Sequence, residues 1–64
     1  MTIPVSVKCG FSDKEGYLHV LSFDTDVTLG DEDVELLMIC TQKLSDNFFP
    51  EALIFSINYT IHES

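Results

Sequence analysis

Positive charge is scarce in this chain. Only three of its 64 residues are lysine or arginine, against eleven aspartates and glutamates, for a net charge of −8. That balance disfavours direct binding to nucleic acid or to an anionic membrane and favours a basic partner surface. Basic surfaces in cells are mostly nucleic-acid-binding surfaces. Glycine occurs three times and in no Gly-rich phosphate loop. Cysteine occurs twice, as Cys9 and Cys40, with no CxxC, HxxxH or HxE spacing to hold zinc. No apolar run is long enough to span a membrane. The opening stretch MTIPVSVKCG lacks the basic and long apolar regions of a signal peptide. The expected location is therefore cytoplasmic, with both thiols reduced. No repeat, linker or low-complexity tract divides residues 1–64, which read as a single small domain.

What is present is apolar content. At 45% it is too high for a disordered chain, so the protein is expected to fold despite its charge. Burial is marginal at this length, and such domains sometimes rely on a partner.

The stretch Asp24–Asn47 carries the helix signal and the densest acid. Asp31-Glu32-Asp33 puts three carboxylates where the unpaired N–H groups of a helix start favour negative charge. Gly30 or Asp31 serves as N-cap; with Gly30, Leu29 and Val34 form a hydrophobic staple. Lys43 suits the last turn, Asn47 the left-handed residue that ends the helix, and Pro50 follows. The helix is placed at about residues 31–45. Val34, Leu37, Met38, Cys40 and Leu44 form the expected inward stripe. Leu36 and Ile39 fall on the flank of Glu32, Glu35 and Lys43, which reads either as a wide buried face or as an exposed apolar spot with an acidic rim.

Elsewhere the period is two. Over 2–10, Ile3, Val5, Val7 and Cys9 point one way; over 52–62, Leu53, Phe55, Ile57, Tyr59 and Ile61 do the same. Residues 11–16 read as a hairpin loop. Residues 17–24 form a second strand, with Leu18 and Val20 on one face and Tyr17, Leu21 and Phe23 on the other; a bulge near Val20–Ser22 would reconcile them. Residues 24–30 link strand to helix, Phe48 and Phe49 plug the end of the core, and Glu63 and Ser64 form a tail. The fold class is α+β: β-β-α-β, a three-stranded antiparallel sheet in order 2-1-3 with one helix packed on one face. Val5, Val7, Leu37, Leu44, Phe55 and Ile57 are its expected core.

Little of the sequence points to catalysis. Asp24-x-Asp26-x-Thr28 with Glu35 at the twelfth place resembles a calcium loop in spacing, but the sixth position is Leu29 rather than glycine. His19 and His62 read as exposed strand histidines, and no serine or threonine sits in a nucleophile motif. No metal, cofactor or catalytic residue is expected.

The acids themselves are left. Asp24, Asp26, Asp31, Glu32, Asp33 and Glu35 lie within twelve residues, beside Leu36 and Ile39. A solvated surface that keeps a small apolar protein soluble is one reading. The other is a partner-binding site, with carboxylates imitating phosphates before a basic groove. By analogy of size, charge and build the chain resembles small phage or mobile-element inhibitors of nucleic-acid enzymes, anti-restriction and anti-CRISPR proteins among them. The expected role is a non-enzymatic inhibitor occluding the basic surface of a nucleic-acid-binding enzyme or complex. The alternative is a homo-oligomeric assembly protein, such as a homodimer, pairing through the open sheet face or the helix flank.

Overall fold

The computed structural model describes residues 1–62; Glu63 and Ser64, read above as a tail, lie outside the described residues. The elements follow in the order β1 (Thr2–Ser12), β2 (Leu18–Thr28), α1 (Glu32–Asp46) and β3 (Leu53–Ile61). The sheet is antiparallel throughout, with order β2-β1-β3, and the helix covers one face. This is the β-β-α-β arrangement expected from the sequence.

The β1–β2 hairpin is longer than the local pattern suggests. Its register runs unbroken from Thr2 opposite Thr28 to Ser12 opposite Leu18. Residues 24–28 are therefore strand rather than linker, and Phe11 is a buried strand residue rather than part of the turn. The loop is held by Asp13, whose Oδ1 accepts the N–H groups of Glu15 and Tyr17 at 2.9 and 3.0 Å. Gly16 takes a positive φ of 88° there, which glycine adopts without steric penalty.

No bulge occurs in β2. It occurs where β3 passes Gly10 and Phe11, whose partners jump from Ser56 to Ile54. The additional residue is Phe55. Its ring lies on the outer sheet face over Gly10, at a place where a Cβ on Gly10 would come within 2.8 Å of it. Phe55 and Leu53 are thus exposed on the open face, and Ile54 takes the inward place expected of Phe55. Beyond the bulge Ile57, Tyr59 and Ile61 share the inward face with Cys9, Val7 and Val5, their register partners.

The helix turns a different stripe inward from the one expected. Leu36, Cys40 and Leu44 are buried, with Ile39 packed beside them, while Val34, Leu37 and Met38 face solvent. Leu36 is 1% exposed and Leu37 53%. Apolar side chains occupy both flanks of the helix, so composition alone does not select the face. The short Leu29–Asp31 connection does. Asp31 is the N-cap, and Glu35 Oε1 accepts the Thr28 N–H at 3.1 Å, fastening one flank of the first turns to the end of β2. In the same orientation Leu36 faces the sheet and stacks with Cys40 and Leu44 in the core. With Asp31 as cap, Leu29 and Val34 form no staple; both are exposed.

The helix ends in a Schellman motif. Phe48 N–H donates to the Ser45 carbonyl at 3.1 Å and Phe49 N–H to the Leu44 carbonyl at 2.8 Å. The left-handed residue is Phe48, with φ 68°, not Asn47. Phe49 folds back onto the core, but Phe48 is 92% exposed and plugs nothing.

Two stability predictions follow from this packing. Leu36→Ala should lower unfolding free energy by about 2–5 kcal/mol, the range for a buried leucine, whereas Leu37→Ala should change it by less than about 1 kcal/mol. Parallel urea melts decide this; equal losses would mean the helix is rotated differently. Phe48→Gly relieves a left-handed conformation that disfavours a side chain by about 1 kcal/mol. Its thermal midpoint should rise, and a fall would show that the Phe48 ring contributes packing.

Candidate functional site

Six acids gather around one end of the molecule. β2 delivers Asp24 and Asp26 there on the open sheet face, opposite Ser6 and Pro4. Residues two apart on a strand point the same way, about 7 Å apart. Asp24 Oδ1 accepts the Ser6 hydroxyl at 2.7 Å, and Ser6 Oγ also meets the His62 ring. Across the turn, Asp31, Glu32, Asp33 and Glu35 occupy the helix start. The sheet separates these two sets, so the acids wrap an end rather than line one groove. Lysine is sparse at this end: Lys8, opposite Ser22 on the same open face, is the diagonal neighbour of Asp24 and lines the same groove, while Lys14 is in the far hairpin loop and Lys43 lies 5.5 Å from the centre of the Phe23 ring.

The six carboxylates differ in what they already hold. Glu32 Oε1 accepts the Gly30 N–H at 2.9 Å, and that bond holds its carboxyl below the usual range. Glu35 is committed to Thr28. Asp26, Asp31 and Asp33 are exposed, as is Asp24 beside Ser6. The expected apolar companions are not surface groups: Leu36 is buried and Ile39 half-buried against the core, because the helix presents that flank to the sheet. The exposed apolar groups next to the acidic turn are Leu29, Val34, Leu37 and Met38.

Among the described residues, no three of His, Cys, Asp and Glu converge closely enough to hold a metal ion. The calcium-like spacing is laid out along an extended strand, and Glu35 turns to a backbone amide instead.

A second cluster, at the opposite end, involves a histidine that the sequence reading placed in solvent. His19 lies on the inward face of β2, stacked on Phe11 at 5.2 Å between ring centres and tilted against Phe49 at 5.2 Å. Its Nε2 is 2.8 Å from Asp13 Oδ2. This bond, with the Tyr17 and Glu15 amides, holds the Asp13 carboxyl below its ordinary value. The signal was available: His19 has the parity of Leu21 and Phe23.

The two thiols are buried, free and face each other between β1 and the helix. Burial, reinforced by Cys9, pushes the Cys40 thiol up to about 12; burial also raises Cys9. Such thiols stay protonated near neutral pH, the reverse of an activated nucleophile. No protein-family model, curated protein or solved structure matches this chain.

The raised thiol predicts an alkaline signature. An unfolded cysteine ionises near pH 9, well before Cys40 does in the folded chain. Cys40 should therefore leave stability unaffected below that pH and reduce it between about pH 9 and 12, by up to about 1.4 kcal/mol per pH unit. Urea melts of wild type and Cys40→Ala at pH 8 and 10 isolate the effect. Equal pH dependence in the two proteins would mean that Cys40 ionises freely in the fold.

Proposed function

We propose that this protein binds and covers a basic surface on another protein, of the kind that nucleic-acid-binding enzymes and complexes present. The observation that carries the reading is the single end with six carboxylates, bordered by one lysine, Lys8, beside Asp24. Four of them, Asp24, Asp26, Asp31 and Asp33, project without holding the backbone in place. A strongly negative end steers a cationic surface toward it and speeds encounter. Val34, Leu37 and Met38 follow directly on the helix and supply the apolar contact that rim charges need for lasting affinity. They take the anchoring role assigned to Leu36 and Ile39 in the sequence reading. The analogy with inhibitors from phages and mobile elements belongs to this proposal and rests on size, charge and build.

Tagged wild type and a variant with Asp24, Asp26, Asp31 and Asp33 changed to asparagine serve as baits in host lysate. The wild type should capture a nucleic-acid-binding protein that high salt or added duplex DNA releases. The variant should bind that protein with association slowed at least about tenfold at low salt. A variant that captures the same proteins at unchanged rates would reduce the acidic end to a solvated surface. Glu32 and Glu35 are left intact because they hold the turn.

A further inference from the structure

The two edges of the sheet are unlike. β2 is guarded by Asp24 and Asp26, so two β2 edges brought together would oppose carboxylates. β3 has no such guard. LIFSINYTI contains no charged residue and no proline over nine residues, in a chain of net charge −8. Unguarded edges of this kind are templates for strand pairing.

The geometry states which backbone groups are free. His62 N–H donates to the Pro4 carbonyl at 3.0 Å. In an antiparallel ladder the bonded residues alternate, so Asn58 and Thr60 also bond to β1. Ile57, Tyr59 and Ile61 then aim their N–H and C=O groups at the open edge. The same three residues carry their side chains on the inward face, where cover is incomplete. The helix runs closest to β2. Tyr59 is left 37% exposed and Ile61 48%, and Leu37 borders the groove between helix and β3.

We infer that β3 pairs antiparallel with β3 of a second copy, joining two sheets into one of six strands about a two-fold axis at Tyr59. The sequence around that axis is self-complementary. Ile57 falls opposite the partner's Ile61 and Tyr59 opposite the partner's Tyr59, each pair exchanging two backbone hydrogen bonds. On the outer face Asn58 falls opposite the partner's Thr60. Apolar meets apolar on the helix side, polar meets polar on the other, and no charge within β3 enters the pairing. The uncovered inward side chains of one copy are what the other needs to complete its own layer. Charge also favours this edge: among the three strands, β3 alone brings no carboxylate or lysine to a contact between two strongly acidic chains. This surface is separate from the acidic end, and its salt response is opposite. Salt screens the repulsion between copies and strengthens pairing, whereas it weakens capture of a basic partner.

Sedimentation of the full chain, from low to high micromolar concentration at low and high salt, tests the proposal. A monomer–dimer equilibrium favoured by salt is expected. Asn58→Asp with Thr60→Asp opposes carboxylates across the seam while leaving the inward core alone. It should raise the dissociation constant at least about tenfold, with the circular dichroism of the dilute monomer unchanged. Amide exchange supplies the second measurement. The amides of Ile57, Tyr59 and Ile61 should be slow in the dimer and fast on dilution, while those of Asn58, Thr60 and His62 stay protected throughout. A chain that is monomeric at high micromolar concentration and high salt overturns the inference and leaves the edge to a strand from another protein. A dimer in which those three amides exchange freely overturns it as well, because the contact would then lie elsewhere.

Discussion

One helix has to cover three strands. A helix with its side chains is about 10–12 Å across, and three strands about 4.8 Å apart present a face about 14 Å wide, wider than the helix. Cover is therefore complete only along one line, and here that line lies toward β2. Val5, Val7, Cys9 and Phe11 of the central strand are buried, with Leu36, Cys40 and Leu44 above them. β3 receives the remainder, so its inward side chains are half-covered. The other sheet face has no cover at all, and Leu18, Val20, Leu53 and Phe55 are exposed on it around Gly10.

Charge fills the space that packing leaves. Glu32 and Glu35 are used inside the fold, closing the turn between β2 and the helix, while Asp26, Asp31 and Asp33 are exposed nearby and Asp24, also exposed, accepts the Ser6 hydroxyl. The opposite end is organised by Asp13, which braces the hairpin loop and His19 at once. An acidic end and an uncharged edge thus coexist on a molecule only 39 × 17 × 16 Å in extent. They are suited to different encounters, one driven by long-range attraction and the other by backbone pairing and apolar contact that succeed only where charge is absent.

The element types and their order were legible because hydrophobic period switches from two to 3.6 and back along the chain, and the strand order because the helix returns the chain beside β1. The inward faces of β1 and of the second half of β3 were equally legible from strict alternation, as was the burial of both cysteines. Three features were not. The end of β2 was hidden because DTDVT is polar, yet it pairs with residues 2–6 of the central strand. The bulge lies in β3 rather than β2 because it depends on Phe55 settling over Gly10, residues 45 positions apart in sequence. The helix face is not encoded locally, because Val34, Leu37 and Met38 compete evenly with Leu36 and Ile39. The proposed contact residues divide accordingly: the acids are at the surface or hold the turn, and the two apolar anchors are core.

The sequence by itself determined the number, type and order of the strands and helix, though not every end, since local period needs no distant partner. It also determined the sign of the surface. The tertiary structure alone decided how the helix is rotated, because either of two apolar flanks could face inward and only packing against the sheet and the end of β2 distinguishes them. It alone decided which edge is bare, because strand order and ladder phase, not composition, determine which N–H and C=O groups are left without a neighbour.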